Sequence, residues 1–161
     1  MKAALLASLL LAGCGYSLAS GARLPGGGRA LRVAPFANQT ALAEAGGLFA
    51  GAARDTLAAH GRLASEGDER AAELTGELRA IHDSPSALGA TGASAFHLDA
   101  EVLLRIRGPQ GTAYEDTARA GEDYLQGVDV LGTEANRRAA LRRLADKLMR
   151  EALERMELSG G

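Results

Sequence analysis

The chain has 161 residues, with 18 Lys and Arg against 20 Asp and Glu and a net charge of -2. That balance provides no electrostatic footprint for nucleic acid. Aromatic residues make up 4% and Trp is absent, so Leu, Ala and Val must build the core, and the lone cysteine, Cys14, rules out an intramolecular disulfide.

Residues 1–13 read MKAALLASLLLAG: one Lys, a short Ala/Leu run, then small residues before Cys14. This is the layout of a cleaved secretory signal peptide, and its apolar run is too short to cross a bilayer as a helix. Leu11-Ala12-Gly13-Cys14 resembles a bacterial lipobox, which implies a diacylglycerol on the Cys14 sulfur and an N-acyl chain on its freed amine. Each buried methylene adds about 0.8 kcal/mol, so several acyl chains would hold the protein stably at a membrane. Gly15 follows where Asp commonly signals inner-membrane retention, so the resemblance implies the outer membrane.

Residues 14–28 are rich in Gly and Ser and read as the lipidated end and a flexible tether. A single domain is expected over residues 29–158, with 159–161 as a tail. Arg29–Phe36, RALRVAPF, reads as a first strand; Thr40 is placed to cap a helix over residues 41–60, with Gly61 as its stop. Residues 73–81 alternate, with Leu74, Gly76, Leu78 and Ala80 on one face. Residues 96–107 alternate from Phe96 to Ile106, one face apolar and one polar. Between them residues 83–94, rich in Ser, Gly and Ala, read as a long flexible loop. Gly108-Pro109-Gln110-Gly111 is a hairpin connection to a returning strand over residues 112–120. Thr133 is placed to cap a final helix over residues 134–158, whose stripe runs through Leu141, Leu144, Ala145, Leu148, Ala152 and Met156. The predicted fold is α+β: a two-layer α/β sandwich of a roughly four-stranded sheet with two helices on one face.

No reaction chemistry is visible. His60, His82 and His97 are scattered, without metal-ligand spacing. Gly26-Gly27-Gly28 precedes a strand and lacks the strand–loop–helix setting of a phosphate loop. No serine lies in a nucleophile elbow, and Glu115, Asp116, Glu122 and Asp123 read as solvated positions. An enzyme is not expected, nor a metal or a non-covalent cofactor.

Cys14-Gly15-Tyr16, Leu24-Pro25, the strand end RVAPFANQT, Tyr124, Asp129 and the segment TEANRRAALRRLADKLMREAL together resemble the LPS-assembly lipoprotein family, LptE. The resemblance spans nearly the whole chain after the signal peptide. It implies an α/β sandwich that sits as a plug in the lumen of the LptD β-barrel and helps deliver lipopolysaccharide to the outer leaflet. Some members bind lipopolysaccharide through basic residues near the sheet and its loops. On charge alone, Arg79, Arg105 and Arg107 are the candidates to meet lipid phosphates; the other reading is of solvated strand arginines. The Val-x-x-Phe-x-Asn-x-Thr pattern is also similar to activators of peptidoglycan synthases such as LpoB, and to relatives of the secretion lipoprotein CsgG. A short tether speaks against the activator, and no long amphipathic hairpin is expected that could supply a pore.

Overall fold

The structure, a computed structural model, describes residues 24–159 apart from 26–27 and 90–91. Cys14, the signal peptide and most of the tether lie outside the described residues. The elements run β1 (Leu31–Val33), β2 (Ala37–Asn38), α1 (Ala45–Ala59), β3 (Ala72–Gly89), β4 (Gly92–Gly108), β5 (Gly111–Leu125) and α2 (Val130–Ser159). They form one mixed sheet in the order β1-β3-β4-β5, with β2 also on the outer edge of β3. The helices cover one face, as the α+β sandwich requires.

The first strand is split in two. β1 and β2 both pair parallel with β3, Leu31 opposite Ala72 and Ala37 opposite Glu77. Pro35 has no N–H to give the ladder, so the chain leaves the edge between them. Phe36 uses that departure: its ring lies over Gly76 so closely that any Cβ there would collide with it, and its carbonyl approaches Gly46. Gly46 therefore opens α1 at a close crossing. The helix begins at Ala45, later than expected, because Thr40 is already engaged: Asn38 Oδ1 accepts from Thr40 N–H at 3.0 Å and from its hydroxyl at 2.8 Å, and Asn38 Nδ2 donates to Leu42 O at 2.7 Å. Gly61, with φ 64°, stops α1 as the sequence predicts.

The largest correction is residues 83–94. Residues 83–89 and 92–94 continue β3 and β4 as a long antiparallel pair, with Asp83 opposite Leu98, Ser84 opposite His97 and Gly89 opposite Gly92. The Ser, Gly and Ala composition has weak strand preference, but each strand satisfies the other's backbone and tertiary pairing overrides propensity. The hairpin is therefore longer than the sequence reading gave it. Residues 82–89 are exposed throughout and lack the alternating apolar face of a lipid-spanning strand. β5 runs five residues further than expected, to Leu125 opposite Ala95, and the Pro109-Gln110 turn closes β4 onto it.

α2 also starts early, at Val130, with Asp129 ahead of it: Gly132 N–H donates to Asp129 Oδ1 at 2.6 Å. Thr133 instead knits the preceding loop, its hydroxyl donating to Asp129 O at 2.9 Å and accepting from Gly127 N–H at 3.0 Å. The predicted stripe is buried as expected. Leu141, Leu144, Ala145, Leu148, Ala152 and Met156 join Phe49 and Leu57 of α1 against Leu74, Leu78, Val102, Leu104 and Ile106 of the sheet. Each such large side chain contributes about 1.5–3 kcal/mol on burial.

Candidate functional site: the open face of the sheet

No described helix lies on the sheet's second face. Alternation along β4 sends Arg107, Arg105, Leu103, Glu101, Asp99 and His97 to it, beside Glu115, Thr117, Arg119, Gly121 and Asp123 of β5. β3 adds Glu73, Thr75 and Glu77 before a register shift between Leu78 and Ala80. That bulge at Arg79 inverts the alternation. Ala80 and His82 consequently join the open face, opposite Glu101 and Asp99, while Ile81 turns to the side of Ala100. The sequence had assigned Ala80 to the buried side; the bulge overturns that.

The three arginines singled out from the sequence share this face but differ in their bonding. Arg79 lies 4.0 Å from Glu77 and 3.7 Å from Glu101. Arg105 lies 3.6 Å from Glu77 and 2.5 Å from Glu115. Glu77 thus links Arg79 and Arg105. Arg107 is exposed and has no ion pair among the described residues; Glu73, opposite it, pairs with Arg32 at 3.3 Å. Arg119, which the sequence reading passed over, belongs to the same set: 70% exposed, it donates to Glu101 at 2.8 Å. Its place between Ala118 and Ala120 in an alternating segment was the available signal. This hydrogen bond is the main cause holding the Glu101 carboxyl below its ordinary range. Leu103, in the midst of these long side chains, is 3% exposed although no described helix covers it.

At the other end of the face His97 stands between two carboxylates, Nδ1 2.6 Å from Asp123 and Nε2 3.2 Å from Asp99. Its ring occupies the space where a side chain at residue 121 would be, which is why Gly121 is there. The hydrogen bond to Asp123 foremost, with Asp99 adding charge, raises the His97 pKa above its ordinary 6.5. Ala80, His82, Asp99, Glu101, Arg119 and Gly121 border an open hollow of about 420 Å³. Among the described residues, no group of three or more His, Cys, Asp or Glu could hold a metal ion. No described helix is long and apolar enough to cross a membrane.

This geometry offers charged hydrogen-bonding groups on a broad, shallow surface, suited to holding a ligand or partner by many weak contacts. Solved structures share the fold. A putative lipoprotein from Caulobacter crescentus superposes with a TM-score of 0.59 at 13% identity, covering 79% of this chain and 88% of that one. The rare lipoprotein B of Shewanella oneidensis gives 0.55 at 15%, covering 80% and 95%. PelC from Paraburkholderia phytofirmans, a dodecamer, gives 0.55 at 18%, covering 86% and 92%. At such identities the likeness is one of fold. A comparison with curated protein sequences gave no match. The family is decided by sequence: the model for LptE, lipopolysaccharide-assembly, matches residues 28–156, and the chain belongs to that family.

Proposed function

We propose that this chain is a non-enzymatic outer-membrane lipoprotein that plugs an LptD-like β-barrel and assists it in assembling lipopolysaccharide at the outer membrane. Cys14 carries the diacylglycerol and N-acyl chains that anchor it, and the domain works on the periplasmic side or inside the barrel lumen. The observation that carries this reading is the family match across residues 28–156. The open sheet face supports it, because it offers guanidinium groups for lipid phosphates. Of the candidates, Arg107 is the most available, since Arg79 and Arg105 must first release carboxylates. Charge-assisted bonds to phosphate are the strong kind, and Arg supplies them in bidentate form.

The test is purification of the full acylated chain from envelopes. A large heat-modifiable barrel should accompany it, and depletion of the chain should lower surface lipopolysaccharide. Capture of a peptidoglycan synthase, or rings of the chain alone, with surface lipopolysaccharide unchanged, would reject the proposal.

A further inference from the structure

The two ends of the domain differ sharply in chemistry. Leu24 and Gly28 sit beside Ala72, at the start of β3, so the tether enters at that end. Seventeen residues on, the β3–β4 hairpin closes at the far end, about 55 Å away at the rise of a strand. Leu125, Gln126 and the start of α2 reach the same end: Leu125 pairs with Ala95, Gln126 N–H donates to Ser94 O, and Gly127 packs against Gly132. Five of the seven exposed large aliphatic residues among those described gather here. Leu88 is 81% exposed, Leu125 67%, Val128 106%, Val130 84% and Leu131 80%. Charged residues make up 24% of the chain, yet residues 84–96 and 124–128 contain none. Asp129, between Val128 and Val130, and Glu134 border these aliphatic residues, and Asp129 accepts from Gly132 N–H.

An aliphatic end of this kind has two candidate partners, a bilayer or the apolar wall of a protein. Chain length separates them. If Cys14 is the anchor, the ten residues from it to Leu24 reach at most about 35 Å when fully extended. A domain standing on its hairpin would hold Leu24 about 55 Å from the membrane, beyond that reach. The hairpin end therefore cannot enter, end-on, the leaflet that holds Cys14. It also lacks the Lys and Arg with which a membrane-surface segment meets anionic lipid. We infer that the hairpin end, through Leu88, Leu125, Val128, Val130 and Leu131, docks against an uncharged aliphatic surface of a partner protein. This rests on the proposed function, under which that partner is the barrel, and it makes the hairpin the leading, dry end of the plug.

The experiment replaces exposed residues at both ends of the acylated chain. Leu88→Asp, Val128→Asp and Leu131→Asp together should lower the barrel recovered per molecule about tenfold or more, as truncating desolvated apolar anchors does. Leu158→Asp, at the opposite end and 85% exposed, should leave recovery unchanged. Unaltered melting would confirm that the triple variant is folded; should it unfold, Val128→Asp alone carries the test. Full recovery with the hairpin variants overturns this inference and leaves the barrel reading standing. If the parent chain brings down no barrel, both fall. Binding of the non-acylated Cys14→Ala chain to phosphatidylcholine vesicles, abolished by the three substitutions, would assign this end to a bilayer and overturn the inference.

Discussion

Gly76 and Phe36 form a contact whose cost of disturbance can be worked out. Gly76 lies on the buried side of β3 with Leu104 of β4 opposite, and the Phe36 ring fills the space a side chain would need. Phe36 is itself buried, and its carbonyl lies against Gly46, so the ring has little room to retreat. Forcing a methyl into such a site costs about 1–3 kcal/mol. Replacing Gly also lowers the entropy of the unfolded chain, which returns about 0.4–1 kcal/mol. Gly76→Ala should therefore destabilise the domain by about 1–2 kcal/mol, a fall of roughly 4–10 °C in melting temperature for a domain of this size. Phe36→Leu should also destabilise, by loss of buried ring. The double variant should be more stable than the sum predicts, because the smaller side chain admits the methyl. Urea melts of the four proteins measure this coupling. Additive losses, or a Gly76→Ala protein as stable as the parent, would show that the ring does not depend on Gly76.

Other outcomes follow from the titrating groups and the anchor. His97 should titrate above 6.5 by NMR, and Asp123→Asn should bring it down, since Asp123 is the leading cause of the rise. Because the folded state holds this proton more tightly, the stability it lends is full below pH 6.5 and fades as pH rises through the folded value. A melting temperature that instead gained from this group above pH 7 would contradict the pairing. Tyr124 is raised to about 12 by burial first and by Asp83 second, so its absorbance should titrate there and not near 10; the fold should lose its contribution between about pH 10 and 12. Arg107→Glu should weaken lipopolysaccharide binding several-fold more than Arg105→Gln if the unpaired guanidinium makes the phosphate contact; equal effects would remove Arg107 from the site. Cys14→Ala should abolish labelling by a fatty-acid analogue, and Asp at residue 15 should shift the protein towards the inner membrane.

The elements with strong periodicity were legible. β4 alternates from Phe96 to Ile106, and α2 carries its stripe from Leu141 to Met156; both are buried as their patterns require. What failed lay in partners that a segment's own pattern does not display, some a few residues away and some far along the chain. Thr40 and Thr133 are good caps in isolation, but Asn38 and Asp129 engage them first. The Ser- and Gly-rich segment after Ile81 has no strand pattern of its own and is held by its partner across the hairpin. Arg79 reads as one more polar position in an alternation that its own bulge terminates. That the three candidate arginines would share a face was readable from parity; that Glu77, Glu101 and Glu115 would engage two of them was not.

The segments that carry the family likeness have architectural work to do. Phe36 covers Gly76, Asn38 ties down the turn before α1, and Gln39 Nε2 donates to Glu77 at 2.5 Å. At the other end Tyr124 and Arg137 both bond the Asp83 carboxylate, at 2.8 Å each, fastening the long hairpin to α2, while Asn136 holds Leu125 O at 2.9 Å. These residues set where the hairpin points and how α2 leaves it. The surfaces offered to a ligand or partner, the arginine-bearing face and the aliphatic end, depend on exposed positions that these residues hold in place without belonging to them. The exposed chemistry of this chain can thus change while its framework keeps one shape, and the aliphatic hairpin end is where such a change would alter the surface offered to a partner without disturbing the fold.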